Sequence, residues 1–426
     1  MKSQARDKLR DPRLRRAENR PDRAHGASQP TLPGLKIAIV YDCLFPNTLG
    51  GAERWYRNLA ERLDRTYSVT FVTRRQWGEE GPETPFETIA VSPGGGLYTS
   101  SGRRSIRPPI RFGIGVFLHL LRHARSYDAV HSASFPFFSL MGAALALKLT
   151  RSRARLIVDW WELWTLKYWQ SYLGSLGGRI GYAVQSLCIR LPDQSFTFSR
   201  LVESRIRERR PGAEIERLTG AYSADSAPVE PSLRPSEPPL VVAAGRHIPE
   251  KRVSVIPPAI ALAREEIPNL RCEIFGDGPE TQATSARIRE LGLSEAVAMR
   301  GRVESDEVMR SIAEASCLVH PSLREGYGLV IVEAAYVGTP SIVVRGPENA
   351  ASELIEDGVN GFVAESAEPG ELAKALIEVI RGGGALRAST LDWYQRHQDE
   401  LSIESSLAAV EASYSELRAE PAQARS

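Results

Sequence analysis

The chain has 426 residues, too many for one comfortable hydrophobic core, so two or three domains are expected. Apolar residues make up 42% and charged residues 25%, an ordinary globular balance, and a net charge of only +2 excludes a global pull toward nucleic acid. Four scattered cysteines (Cys43, Cys188, Cys272 and Cys317) form no Cys-x-x-Cys and sit near no His cluster. That pattern argues against a zinc site or a disulfide framework and suits a reducing compartment.

Charge is unevenly spread. Residues 1–34 hold nine Lys or Arg against four acids, with almost no apolar periodicity, so they read as a disordered basic tail. Such a tail is either plain solvated chain or weakly drawn to an anionic membrane surface. The first thirty residues have no apolar signal-peptide core, and the apolar stretch 135–147 has thirteen residues. A bilayer span needs about 20. The expectation is a cytoplasmic protein, soluble or peripheral at the inner face of a membrane.

In chain order, residues 35–41 read as a buried strand running into a polar, Gly-rich loop at 42–51 and a helix over 52–63. A strand at 68–73 precedes a long Pro/Gly-rich insertion, 77–109. A helix near 113–122, a strand at 128–131, a helix at 137–149 and strands at 155–159 and 194–199 follow. Five prolines and two acids mark 226–239 as a linker. Alternation then restarts, with strands at 240–244, 271–275, 296–300, 317–320 and 341–344. Helices at 253–266, 280–291, 306–315, 329–337 and 350–356 separate and follow them. The remainder, 370–417, is helical apart from a break at Gly382-Gly383-Gly384. Alternating strands and helices predict right-handed parallel crossovers, hence α/β, doubly wound, Rossmann-like domains. The division expected is a tail at 1–34, domains at 35–225 and 240–385 joined by 226–239, and a C-terminal helical tail at 386–426. A ligand site then falls in the cleft between the strands' C-terminal ends.

The strongest chemical signal is the run from Pro321 to Glu333. A strand ends at His320, a loop carries Glu325 among small residues, and a helix begins near Gly328. A helix N-terminus offers unpaired N–H groups and partial positive charge, a seat for a diphosphate. Gly326 and Gly328 let backbone approach such a ligand closely. Glu333 lies eight positions beyond Glu325, so the two acids can address opposite ends of an elongated ligand and accept from sugar or ribose hydroxyls.

Residues 36 to about 380 resemble the retaining glycosyltransferases of GT-B fold, family 4. The resemblance rests on Gly50-Gly51-Ala52-Glu53, Gly245-Arg246-x4-Lys251, Gly276-Asp277-Gly278-Pro279, Gly301-x-Val303, Glu325-x7-Glu333, Gly338-x-Pro340 and the run from Glu353 to Gly361. It implies two Rossmann-like domains facing across a cleft and transfer of a sugar from a nucleotide-sugar donor to a glycan or lipid-linked acceptor in cell-envelope or polysaccharide assembly. By the same resemblance, Arg246 and Lys251 grip the donor diphosphate and Glu325 contacts the transferred sugar. Backbone N–H groups of Gly326, Tyr327, Gly328, Leu329 and Val330 face the donor, Glu333 accepts from the ribose, and Gly51 closes over the phosphates or acceptor. No cofactor is implied, the nucleoside-diphosphate sugar being substrate. No metal is implied either: there is no Asp-x-Asp, and Glu304-Ser305-Asp306 sits where it can simply cap a helix.

One departure stands out. Family members carry a His after the strand matching 155–159, whereas this chain reads Asp159-Trp160-Trp161-Glu162. Asp159, Glu162 or His131 are the candidate acceptor-side residues in its place. Four tryptophans, Trp160, Trp161, Trp164 and Trp169, lie within ten residues with Tyr168 and Tyr172 nearby, suiting either core packing or a sugar- or membrane-facing surface. Two rival functions remain open: a non-catalytic partner binding nucleotide sugar or glycan, and a nucleotide-sugar epimerase of similar architecture. A dinucleotide-dependent dehydrogenase is disfavoured, because no Gly-x-Gly-x-x-Gly follows the strands at 35–41 or 240–244.

Overall fold

The computed structural model describes residues 34–48, 50–95, 105–220 and 229–419, with side chains given to 416. The expected disordered tail lies outside them, as does the start of the expected linker; residues 229–239 carry no helix or strand.

The first half runs β1 (Lys36–Val40), α1 (Gly51–Asp64), β2 (Ser68–Arg74), β3 (Glu87–Ser92), α2 (Arg107–His123) and β4 (Ala129–Ala133). It continues with α3 (Phe137–Thr150), β5 (Arg155–Trp160), α4 (Leu166–Cys188), β6 (Gln194–Thr197), α5 (Arg200–Arg209) and β7 (Ile215–Arg217). Its seven strands form one parallel sheet in the order β3-β2-β1-β4-β5-β6-β7. Central strands such as β1, whose Ile37–Val40 stretch is fully buried, are continuous apolar runs because helices cover both faces.

The second half runs β8 (Leu240–Ala244), α6 (Ile256–Glu266), β9 (Arg271–Phe275), α7 (Thr281–Glu290), β10 (Val297–Gly301), α8 (Ser305–Glu314) and β11 (Cys317–His320). Then come β12 (Arg324–Glu325), α9 (Leu329–Tyr336), β13 (Ser341–Val344), β14 (Glu348–Asn349), β15 (Gly361–Ala364), α10 (Pro369–Leu401) and α11 (Ile403–Ala419). Six strands pair in the order β10-β9-β8-β11-β13-β15, and β12 pairs with β14 as a separate parallel ribbon. In both sheets the order reverses beside the first strand, between β1 and β4 and between β8 and β11. A reversal of this kind opens a crevice at the strands' carboxyl ends.

Four expectations need amending. The insertion at 77–109 contains β3, an edge strand, and α2 begins at Arg107. The helix expected at 350–356 is a 3-10 turn at Ala350–Leu354 that the Asn349 side chain caps through the Ala351 N–H. The helix expected from 253 starts at Ile256, after two short 3-10 turns. The helical tail is no appendage: α10 breaks at Gly383 (φ 50°), as the glycine run suggests, and Trp393, Tyr394, Leu401, Leu407, Val410 and Tyr414 then join the same buried cluster as Ile37, Ile39, Trp55 and Phe71 of the first half. Just past the break, buried Arg387 donates to the carbonyls of Ser232, Ala313 and Val337, tying the inter-sheet segment to the C-terminal ends of α8 and α9.

The return of the chain is fastened by a polar network inside the first core. His131 on β4 donates through Nε2 to Asp159 Oδ1 (2.7 Å), and its Nδ1 accepts from the Tyr414 hydroxyl (2.9 Å). Asp159 Oδ2 accepts from the Trp55 indole N–H of α1 (2.8 Å). A buried acceptor left unpaired costs about 1–3 kcal/mol. Tyr414→Phe is therefore expected to destabilise the chain by roughly that amount in a denaturant titration, and a loss below about 0.5 kcal/mol would mean the bond does not hold the tail.

Candidate functional site

The site is assembled where three loops meet: 42–50 after β1, 245–251 after β8 and 321–328 after β11. Lys251 ends a 3-10 turn at Pro249–Lys251, and the Leu323 N–H donates to the Glu250 carbonyl (2.8 Å), so the second and third loops are locked together. The β12–β14 ribbon sets Glu325 opposite Asn349. Buried Asn349 in turn donates to the carbonyls of Ser322 (3.1 Å) and Val344 (2.8 Å). With both loops fixed, the Lys251 ammonium donates directly to Glu325 Oε2, and His320 Nε2 donates to the same oxygen at 2.7 Å.

Electrostatics follow from that geometry. Burial alone would raise the Glu325 pKa, but the Lys251 charge and the His320 hydrogen bond outweigh it and hold the carboxyl well below the usual carboxylate range. Burial and the same Lys251 charge lower the pKa of His320, which is thus the neutral donor of the trio. In the second turn of α9, burial raises the pKa of Glu333, and Arg54 offsets part of that rise through a 3.4 Å ion pair.

Gly328 enters α9 at φ 106°, a left-handed backbone that a side chain resists. First-turn N–H groups have no intrahelical partner, and here they belong to Leu329 and Val330, while the Ile331 N–H bonds back to the Gly328 carbonyl (2.9 Å). The first half faces this helix start directly. A Cβ on Gly51 would stand 3.8 Å from the Leu329 side chain. A Cβ on Gly326 would collide with the Trp161 carbonyl, so only glycine lets the two halves approach there. Tyr327 donates its hydroxyl to the Thr219 carbonyl (2.6 Å). Further pairs bridge the crevice: Arg324 with Glu162 (3.1 Å), Arg205 with Glu348 (2.8 Å), and Glu353 accepting from the N–H groups of Arg200 and Leu201 (2.8 Å each) at the start of α5.

The comparisons with known proteins agree with this architecture. Residues 50–219 match the family described as glycosyl transferase 4-like domain, and residues 228–391 match glycosyl transferases group 1. The two matches together span most of the chain, and its second half belongs to the group 1 glycosyl transferases. It is 31% identical over 178 residues to D-inositol 3-phosphate glycosyltransferase of Streptomyces scabiei, covering 39% of each chain. To poly(glycerol-phosphate) alpha-glucosyltransferase of Bacillus subtilis it is 28% identical over 156 residues, 36% of this chain and 23% of that protein. The chain thus spans less than half the length of these curated relatives. Among solved structures, sucrose-phosphate synthase from Thermosynechococcus elongatus superposes with a TM-score of 0.73 at 18% identity, over 90% of this chain and 99% of that one. Anabaena HepE in complex with UDP and glucose superposes with a TM-score of 0.65 at 18% identity, over 90% and 100%. The fold is GT-B.

Lys251, Glu325, Gly326, Tyr327, Gly328, Leu329, Val330, Glu333 and Gly51 are gathered around the start of α9. Arg246 stands exposed in the loop after β8. The three acceptor-side candidates divide. Glu162 lies in the crevice, paired with Arg324 and accepting from the Trp164 indole (2.9 Å). His131 and Asp159 do not line it: both are fully buried, and their polar atoms are satisfied by Tyr414, Trp55 and each other. The tryptophan cluster is mostly core, with Trp160, Trp164 and Trp169 buried.

Three residues escaped sequence reasoning. His320 had a signal, as the last residue of a strand feeding the acidic loop. Arg324 alternates with Glu325 on the ribbon and lies 4.3 Å over the Trp164 ring. Arg54 follows the Gly50-Gly51 loop, and its partner Glu333 is 279 positions away.

Because the pKa of His320 is lower in the folded chain than its unfolded value of about 6.5, unfolding takes up a proton below that pH and stability falls with acid. His320→Gln keeps a donor but cannot titrate. Its melting temperature is expected to fall less than that of the wild type between about pH 6.5 and 5; identical slopes would show that His320 is not the group responsible.

Proposed function

We propose that the chain is a retaining, metal-independent hexosyltransferase that moves a sugar from a nucleoside-diphosphate donor to a glycan or lipid-linked acceptor, in cell-envelope or polysaccharide assembly. The observation that carries this reading is the Lys251–Glu325–His320 trio at the start of α9, in a chain whose second half belongs to the group 1 family. A cation and a helix N-terminus suit a diphosphate. An anionic carboxylate beside them suits hydroxyls and a sugar ring that gains positive charge. Glu333, held by Arg54, suits the ribose.

In the proposed step the acceptor hydroxyl oxygen bonds to the anomeric carbon on the face from which the phosphate leaves. The carbon–phosphate oxygen bond breaks through an oxocarbenium-like state, and the departing phosphate oxygen takes the hydroxyl proton. Lys251, Arg246 and the α9 amides neutralise the developing nucleoside diphosphate, and no protein base is required. His131 and Asp159 are given no part, since both are sealed in the core. The cation set at the phosphate seat is what supports metal independence.

UDP-glucose is the first donor to test, because HepE, which shares the fold, is complexed with UDP and glucose. Release of nucleoside diphosphate in a donor and acceptor screen is expected to fall at least about 100-fold in Lys251→Ala and in Glu325→Ala, the scale of removing a transition-state charge partner. Rates within a few-fold of wild type in both variants would refute the site. Product analysis is expected to return the donor's anomeric configuration. Treatment with EDTA is expected to leave the rate unchanged, and a metal-restorable loss would overturn the metal-independent reading. Conversion of donor without acceptor into its epimer would replace transfer by epimerisation, and donor binding without turnover would make the chain a binding partner.

A further inference from the structure

An amphipathic helix normally spends its one apolar stripe on the core. On α2 that stripe is Phe112, Val116 and Leu120, all fully buried. Yet Ile106, Ile110, Ile114, Leu118 and Leu121, spaced three to four residues apart, form a second stripe with exposures from 36% to 61%. Helix α4 breaks at Gly174 (φ 77°); Trp169 and Cys188 face inward, while Leu166 and Leu173 before the break and Leu176, Ile180 and Leu187 after it are exposed, Leu176 at 74%. Leu145 and Leu149 of α3 are exposed as well. Of the fifteen large apolar side chains exposed among the described residues, twelve sit on or at the start of these three helices. Four of them, Ile110 and Ile114 of α2, Leu145 of α3 and Leu187 of α4, line one groove of about 480 Å³ that joins the three helices.

Charge on this face has a single sign. The sequences of α2, α3 and α4 contain no Asp or Glu, and Arg107, Arg111, Arg122, Lys148, Lys167 and Arg179 are all exposed. Two such cationic faces repel each other, which disfavours a second copy of the chain as the cover. An apolar sheet ringed by cations is complementary to an anionic lipid surface, where acyl chains take the leucines and phosphates take the arginines. Among the described residues no helix is long and apolar enough to cross a membrane, so this contact lies on the surface.

We propose that the α2–α3–α4 face docks on an anionic phospholipid bilayer. The proposal is independent of the transfer reading, because lipid binding is measured without donor or acceptor.

The full chain is centrifuged with phosphatidylcholine vesicles that contain or lack phosphatidylglycerol. The wild type is expected to pellet with the phosphatidylglycerol vesicles and to remain largely in solution with the neutral ones. Ile114→Ser, Leu176→Ser and Ile180→Ser combined is expected to weaken partitioning at least tenfold, about the loss from one buried aliphatic side chain. Arg111→Gln and Arg179→Gln are each expected to weaken it by about fivefold. All substituted side chains are exposed, so melting temperatures should stay at the wild-type value, and Leu176→Ser alone serves if the triple variant does not fold. Wild-type protein that stays in solution with the anionic vesicles would overturn the proposal. So would a triple variant that pellets like wild type, since the basic residues 1–34 would then carry the binding. A vesicle-free dimer that the serine variants dissociate would assign the face to a second copy instead.

Discussion

A carboxyl group sealed from water must find its partners in the protein, and Asp159 finds them in two elements, one of which reaches a third. Its oxygens take the Trp55 indole N–H from α1 and the His131 N–H from β4, and His131 in turn holds Tyr414 of α11. Because Trp55 is pinned from inside, its neighbour Arg54 is presented outward on the exposed side of α1, where it reaches Glu333 of the second half. The buried Asp159 side chain thereby anchors the helix that follows the Gly50-Gly51 loop. The loop's approach to α9 depends on that anchor.

The crevice itself is organised by charge. Glu325 is ionised because Lys251 and His320 share its oxygen, whereas Glu333, equally buried, has one longer ion pair. The two acids of the motif are therefore unlike in character although alike in sequence. A strongly acidic carboxylate beside a cation suits a centre that gains positive charge; one held above the ordinary range suits hydrogen bonding to hydroxyls. The bridges between the halves, Glu162–Arg324 and Arg205–Glu348 among them, flank this centre and bring Trp161 onto Gly326.

Much of the fold was legible because buried parallel strands write themselves as short apolar runs, as at Ile37–Val40 and Leu240–Ala244. What was hidden has local physical reasons. β3 is half-buried at a sheet edge and stands amid prolines and glycines, and β12 and β14 are two residues each, too short for any periodicity. The helix expected at 350–356 fails because Asn349 turns its side chain onto the backbone there. In the site, Lys251 and Glu325 could be assigned to one pocket from their motifs, though not their direct contact. Arg54 with Glu333 could not, since an ion pair between residues 279 positions apart leaves no local pattern. His131 misled for a related reason: a histidine closing a strand looks poised for a cleft, and nothing near it in sequence announces that Tyr414 will cover it.

The path of α10 and α11 has a consequence for biosynthesis. Domains emerging from a ribosome usually close in the order they are made. Here the core around β1 and β2 is incomplete until Leu407, Val410 and Tyr414 arrive, near the far end of the chain. The first half must wait, with part of its apolar floor uncovered, through the synthesis of the entire second half. Helix α11, made after the whole second half, is thus the keystone of the first domain, and the interval before it is laid is when a chaperone has most to protect.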